Sequence, residues 1–87
     1  MEKLKFHYDA GHGWLEVSKK LYRNIMKEKL PSSYSYEGVN NYYLEEDYDA
    51  SDFLRMYKGD KSLVWNESII EIDDGDESFI RNLNHIN

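Results

Sequence analysis

The 87-residue sequence has no cysteine and only one proline. Without cysteine the chain has neither disulfide bonds nor thiolate ligands for a structural zinc ion, so packing or a partner must hold the fold together. The lack of disulfide chemistry also fits the cytoplasm, where we expect the protein to act. No apolar run approaches the roughly 20 residues that cross a bilayer, and the charged N-terminal segment predicts no signal peptide.

The common catalytic signatures are missing as well. The sequence contains no cysteine nucleophile, no G-x-S-x-G elbow, no P-loop and no glycine-rich dinucleotide loop. Each of these patterns supplies a nucleophile or a phosphate-binding backbone to a common class of enzymes. We therefore expect a protein that is not an enzyme and that uses no cofactor.

Positive charge is scarce in the second part of the chain. The net charge is −6, and residues 1–36 hold seven Lys or Arg and four Asp or Glu, whereas residues 37–87 hold four and thirteen. Phosphate binding needs clustered positive charge, so direct contact with nucleic acid is not expected. The acidic part keeps a small protein soluble, and it also suits a protein partner with a basic surface.

The first half of the chain predicts two strands and a helix. Apolar and polar residues alternate over 4–8, and a second strand follows over 14–17 after a glycine-rich turn, which is typical of a hairpin. Ser18 is a suitable N-cap for a helix whose apolar residues recur at helical spacing. Pro31 is expected to end that helix.

The second half predicts further strands and one more helix. Residues 34–36 and 42–46 are interpreted as a second hairpin. Asp49 is the predicted N-cap of a short helix that Gly59 ends. The last strand is predicted over 63–72, with a break in its alternation that indicates a bulge or a tight turn.

These elements predict a single α+β domain over residues 1–87. The expected order is β-β-α-β-β-α-β, which favours a small, mostly antiparallel sheet of four to five strands with both helices on one side. Residues 77–87 are rich in asparagine, and we expect them to form an irregular tail anchored by Phe79 and Ile80.

A histidine-containing turn is the first candidate site. His7, Asp9 and His12 offer two imidazoles and a carboxylate, which could bind a divalent metal or supply an acid–base pair. Strand alternation places His7 on the polar face and His12 in the turn, so no shared face brings them together. Exposed histidines in a turn are the simpler interpretation, and a metal-binding protein or small metal-dependent enzyme is the alternative.

Acidic residues and tyrosines form the other candidates. The run of carboxylates from Glu45 to Asp52 is explained by a helix cap and a solvated edge, by an Mg²⁺ or Ca²⁺ site, or by a contact surface for a basic partner. The tyrosines of the second hairpin lie on both faces of the predicted strands. One face belongs to the core, and the other could form an aromatic contact patch.

Three stretches form a distinctive combination, namely DAGHGWLEV at 9–17, SYSY at 33–36, and YLEEDYDA at 43–50 with Phe53. The combination resembles a family of short hypothetical proteins carried by phages and plasmids, and SFIR at 78–81 loosely extends the likeness. In that family a histidine often precedes the aspartate, whereas this chain has Tyr8. A dyad between that histidine and His12 is therefore broken here.

The resemblance implies a protein from a mobile genetic element. Small acidic proteins of such elements often counter host defences, such as CRISPR–Cas or restriction systems, by binding a basic groove or an assembly surface. Our leading hypothesis is a stoichiometric inhibitor of a host defence nuclease complex, such as an anti-CRISPR or anti-restriction protein, in the host cytoplasm. A structural or regulatory homo-oligomer that pairs through exposed edge strands is a further alternative. The predicted partner-binding residues are Glu45, Glu46, Asp47, Asp49, Asp52, Tyr36, Tyr43 and Tyr48.

Overall fold

The computed structural model describes residues 4–58 and 69–86. Over these residues it contains two α-helices, a short 3₁₀ helix and a six-stranded sheet, which confirms the predicted α+β class. The elements are β1 (Leu4–Tyr8), β2 (Gly13–Ser18), α1 (Lys19–Met26), β3 (Tyr36–Glu37), β4 (Asn41–Glu45), α2 (Asp49–Lys58), β5 (Ile69–Asp73), the 3₁₀ helix (Phe79–Asn82) and β6 (Asn84–His85). None of the helices described is long and apolar enough to cross a membrane.

The sheet is mixed, and its strand order is β5-β1-β2-β4-β3-β6. β1 pairs in parallel with β5, while every other pair is antiparallel. The two predicted hairpins are confirmed, but the prediction of four to five strands was too low. The predicted strand at 63–65 and the predicted helix end at Gly59 lie outside the described residues.

Helix α1 begins as predicted and ends earlier than predicted. The hydroxyl of Ser18 accepts a hydrogen bond from the amide of Leu21 at 3.1 Å, which confirms the N-cap. The helix ends at Met26 because Lys27 adopts a φ of 59° and a ψ of −123°, a conformation that suits glycine. The amide of Lys29 then donates to the carbonyl of Met26, which closes a tight turn well before Pro31.

The predicted capping role of Asp49 was wrong. Helix α2 begins at Asp49 itself, since the Tyr48 carbonyl accepts the amide of Asp52. The buried carboxylate of Asp49 instead accepts the amide of Ser32 at 2.9 Å, the hydroxyl of Ser32 at 2.7 Å and the hydroxyl of Ser35. Three donors from the segment before β3 thus occupy an oxygen that a helix cap would have used.

Both helices pack on one side of the sheet, called here the helix-covered face. Leu15 and Leu44, which are fully buried and pair across β2 and β4, cluster there with Tyr22 of α1 and Phe53 of α2. The rings of Tyr22 and Phe53 stack with centroids 5.8 Å apart. Burying side chains of this size stabilises a fold by roughly 1.5–3 kcal/mol each, so this core is the main source of stability.

The opposite side of the sheet, called here the second face, is covered by the C-terminal segment. Trp14 and Tyr43 pack there against Ile80, which is completely buried. Residues 77–87 were expected to be irregular, yet they contain the 3₁₀ helix, whose N-cap is Ser78, and β6, which pairs with β3. Ile80 anchors this segment, and Phe79, although 48% exposed, packs its ring edge to face against His7 and Tyr43.

Candidate functional site

A concave site of about 360 Å³ opens at the margin of the second face. Its walls come from four parts of the chain: the turn before β2, the segment leading into β3, the end of β4 and the C-terminal segment. We call it the aromatic cleft, and its lining residues are His12, Trp14, Tyr34, Tyr36, Glu45, Asp47, Tyr48, Arg81 and His85. Six of these nine side chains carry an aromatic ring, if the two imidazoles are included, and two carboxylates and one guanidinium lie among them.

The floor of the aromatic cleft is built from close side-chain contacts. Trp14 is only 2% exposed, and its indole meets the ring of Tyr36 edge to face with centroids 6.2 Å apart. The guanidinium of Arg81 lies 5.3 Å from the centroid of Trp14, within range of a cation–π contact. Arg81 is held there by Asp9, because its Nε and Nη2 donate to the two carboxylate oxygens at 2.6 and 2.9 Å.

The carboxylate of Asp9 holds the elements of this floor together through hydrogen bonds. Besides Arg81, its carboxylate accepts the amides of Ser78, Gly11 and His12 at 2.8–3.0 Å. The Arg81 guanidinium and these amides hold the pKa of Asp9 far below its usual range, although burial alone would raise it. Asp9 is therefore ionised at neutral pH, and its charge balances that of Arg81.

Two exposed tyrosines form the open wall of the cleft. Tyr34 and Tyr48 are 61% and 59% exposed, yet their rings stack with centroids 5.3 Å apart and planes 17° from parallel. Tyr36 continues this wall, and the centroid of its ring lies 4.1 Å from the centroid of the His85 ring. A stacked aromatic pair that remains open to solvent is typical of a contact surface rather than of a core.

Carboxylates line the rim beside these tyrosines. Glu45 is half-buried, and its Oε1 accepts the amides of Asp47 and Tyr48 at 2.9 and 3.1 Å. Glu46 and Asp47 are exposed. Because Asp9 balances Arg81, these three carboxylates leave the cleft with a negative potential.

Five of the eight predicted partner-binding residues lie at the aromatic cleft or on its rim. These five residues are Tyr36, Glu45, Glu46, Asp47 and Tyr48. The acidic run and the tyrosines meet here because the chain turns sharply after β4, and this turn brings Tyr48 back towards Glu45. The cleft thus joins two features that appear as separate patterns in the sequence.

The other three predicted residues lie elsewhere. Asp49 is buried beneath Ser32 and Ser35. Asp52 lies in a separate depression of about 180 Å³ between the helices, where the ammonium of Lys29, followed by Arg55, lowers its pKa. Tyr43 is buried under the C-terminal segment, and burial raises the pKa of its phenol. These three residues therefore do not line the aromatic cleft.

His7 occupies a buried polar network instead of the exposed position expected from strand alternation. It is 6% exposed, with Nε2 lying 2.9 Å from Glu16 Oε1 and Nδ1 lying 3.1 Å from Asp74 Oδ2. The end of β5 and the ring of Phe79, 5.4 Å away, cover it. His7 therefore contacts Glu16 and Asp74, and Asp9 pairs with Arg81. His12 is exposed on the rim of the cleft. The three predicted metal candidates, His7, Asp9 and His12, thus do not form one ligand site.

Four residues of the cleft were not predicted as site residues from the sequence. Tyr34 belongs to the tyrosines of the second predicted hairpin but was not among the predicted contact residues. Trp14 read as an ordinary strand residue, although its register opposite Glu45 places it beside the acidic run. Arg81 belongs to the stretch 78–81 that extends the family resemblance, which was its only sequence signal. For His85 the sequence holds no signal, since β6 has only two residues.

Comparison of the chain with models of known protein families, with curated proteins and with solved structures finds no match. Function is therefore inferred from the geometry and chemistry of the aromatic cleft. A small α+β fold by itself is compatible with many unrelated activities.

Proposed function

We propose that the protein is a stoichiometric protein-binding inhibitor whose aromatic cleft receives a lysine or arginine side chain from a basic partner. The observation that carries the proposal is the stacked, solvent-exposed pair of Tyr34 and Tyr48 next to the carboxylates of Glu45 and Asp47. An aromatic wall beside negative charge is chemically complementary to a side chain with a long apolar stem and a cationic head.

The energetics of such a contact favour this ligand. A cation over a tyrosine ring contributes about 0.5–2 kcal/mol, depending on how far it is desolvated. Tyrosine loses little conformational entropy on binding, and neighbouring carboxylates accelerate association with a positively charged surface. Arg81 above Trp14 is an internal example of a guanidinium resting on an aromatic ring.

The family resemblance supports a specific biological setting. The stretches at 9–17, 33–36 and 43–50, which carry the resemblance to phage and plasmid proteins, all contribute residues to the aromatic cleft. A basic surface suited to the cleft is common in nucleic-acid-binding defence complexes, because such complexes hold phosphates with clustered lysines and arginines. We therefore propose a counter-defence role, of the anti-CRISPR or anti-restriction kind, in the host cytoplasm.

A direct test uses short peptides as probes. We expect a hexa-arginine peptide to shift the ring resonances of Tyr34 and Tyr48 in NMR spectra, with saturation at one peptide per protein, whereas hexa-glutamate leaves them unchanged. The Tyr48→Ala variant should weaken the interaction at least fivefold. Met56→Ala, which removes a side chain of matched exposure on α2, is the control. Equal affinity of the Tyr48→Ala variant would overturn the proposal.

The natural partner is sought with tagged protein in nuclease-treated host lysate. We expect a defence nuclease or nucleic-acid-binding complex that is retained by the wild-type chain and lost by Asp47→Lys. The exposed Asp76→Lys substitution is the matched charge-reversal control. Retention of the same complex by Asp47→Lys would contradict a contact through the rim. Light scattering at high concentration tests the homo-oligomer alternative, which a monomeric mass would remove.

A further inference from the structure

Three side chains capable of binding a transition metal converge at the mouth of the aromatic cleft. His12 offers a ring nitrogen, and Glu45 and Glu46 each offer a carboxylate oxygen. These three ligand atoms all lie within 4.8 Å of one another. His12 and Glu46 are exposed and Glu45 is half-buried, so an ion from solvent can reach all three.

Backbone pairing accounts for the convergence. Trp14 pairs with Glu45 in adjacent strands, and the amide of Glu46 donates to the carbonyl of Gly13 at 3.1 Å. His12 is held at the end of the same strand, because its amide donates to the carboxylate of Asp9 and its carbonyl accepts the amide of Asp9. The ligands thus extend from fixed strand ends rather than from a free loop.

Gly13 makes room for one of the carboxylates. A Cβ atom at this position would lie 3.0 Å from Oε2 of Glu46 and only 2.3 Å from the ring of Phe6. The glycine therefore allows the Glu46 side chain to lie directly over the backbone next to His12. A larger residue would clash first with the ring of Phe6 and would also crowd this carboxylate.

We propose that His12, Glu45 and Glu46 bind a divalent transition metal, such as Zn²⁺ or Mn²⁺, at the mouth of the aromatic cleft. One imidazole and two carboxylates are a donor set that suits these ions. Glu45 keeps Oε2 for the metal while its Oε1 accepts the two backbone amides. Metal–ligand bonds of about 2.0–2.2 Å require the side chains to move inward, and their exposure leaves room for that movement.

Three protein ligands leave at least one coordination position to an exchangeable ligand. The adjoining cavity of about 360 Å³ provides space for it, with Arg81 and Trp14 on the floor. The metal site requires no partner protein. It can therefore be tested separately from the function proposed above.

The first experiment is an NMR titration of the histidine ring signals with Mn²⁺, with Zn²⁺ affinity measured by calorimetry. The chain has three histidines, His7, His12 and His85. We expect Mn²⁺ to broaden the His12 signals first, and Zn²⁺ to bind with a stoichiometry of one. Broadening that begins at His7 or His85, or the absence of saturable binding up to millimolar metal, would overturn the proposal.

Substitutions separate this site from nonspecific binding to an acidic protein. His12→Gln and Glu46→Gln should each lower the Zn²⁺ affinity at least tenfold, while the exposed control Asp76→Asn leaves it within twofold. Circular dichroism spectra of all three variants without metal establish that they are folded. Unchanged affinity in folded His12→Gln protein would contradict the assignment.

Discussion

The two faces of the sheet are stabilised by different kinds of interaction. The helix-covered face buries apolar side chains such as Leu15, Leu44 and Phe53. The second face packs Trp14 and Tyr43 against Ile80 and adds charged and polar contacts, of which the pair of Asp9 and Arg81 is the most connected. We therefore expect pH to affect the second face, where Asp9 is ionised and paired with Arg81, more than the apolar packing of the helix-covered face. Because charged and aromatic side chains take part in the packing of the second face, some of them remain accessible to a ligand at the aromatic cleft.

The largest effect is expected on the helix-covered face. Phe53→Ala removes a completely buried ring and should lower the free energy of unfolding by about 3–5 kcal/mol. Urea denaturation followed by circular dichroism measures this loss. Because no charge is involved, the loss should be the same at pH 7 and pH 5. Met56→Ala on the same helix is the exposed control, and a comparable loss there would contradict this account of the core.

A smaller effect is expected on the second face. Asp9→Asn removes the charge that holds Arg81 and weakens the acceptor of several amides, so we expect a loss of about 2–3 kcal/mol at pH 7. The exposed Asp76→Asn is the matched control. Trp fluorescence reports the environment of Trp14 on the cleft floor, and urea denaturation measures the free energy of unfolding of the whole domain.

The pH dependence distinguishes this contribution from ordinary packing. The folded-state pKa of Asp9 is depressed, so its contribution is complete above the unfolded value of about 4 and is lost as the pH falls below it. The stability gap between wild type and Asp9→Asn should therefore be constant from pH 7 to pH 5 and narrow below about pH 4. A gap that does not narrow in acid would indicate that packing, rather than charge, makes Asp9 important.

The helix layer can be stabilised without touching the second face. Lys27 holds a φ of 59° and a ψ of −123°, a region that glycine populates far more readily. Lys27→Gly should raise the free energy of unfolding by about 1 kcal/mol, measured from the shift of the urea midpoint. Lys27→Ala tests the cause, because alanine keeps the Cβ atom. An equal gain from alanine would assign the effect to lost charge instead of backbone strain.

The smallest effect is expected from removing a surface ion pair that joins the turn after α1 to α2. Lys29 donates to Asp52 at 3.3 Å, and Lys29 is 61% exposed. Lys29→Ala should cost no more than about 0.5 kcal/mol, because solvent screens exposed pairs. Thermal melts at low and at high salt measure it. A loss as large as that of Asp9→Asn would break the distinction between surface charges and the charges of the second face.

The helix-covered face could be predicted from local sequence patterns. Alternation in β1 and β2, helical spacing behind Ser18 and the hairpin before α2 all reflect neighbours along the chain. These signals were sufficient for the α+β class and for one helix cap. They failed at Lys27, where a tight turn ends the helix without glycine or proline to mark it.

The second face could not be predicted because its contacts join distant residues. Asp9 and Arg81 are 72 positions apart, and no local pattern links an aspartate in a turn to an arginine near the other end of the sequence. His7 read as exposed because polar residues on a strand usually face solvent, yet Asp74 supplies it with a buried partner. The acidic run is evident in the sequence, but only the structure shows that Glu45 lines the cleft whereas Asp49 is buried.

The parallel pairing of β1 with β5 has a consequence for how the chain folds. β1 forms a hairpin with its neighbour β2 in the sequence. The other edge of β1 pairs with β5, where Leu4 lies opposite Ile69, so this pairing requires two segments far apart in the chain to meet. Closing so long a loop costs entropy before the pairing contributes any stabilisation, so folding should be slower than the chain's small size suggests. The C-terminal segment that covers Trp14 follows β5 in the chain, so Trp14 should become fully buried in a late kinetic phase, after the helices have formed. The C-terminal wall of the aromatic cleft is accordingly expected to be the last part of the molecule to assemble, and its amide hydrogens should exchange before those of the central strands β2 and β4.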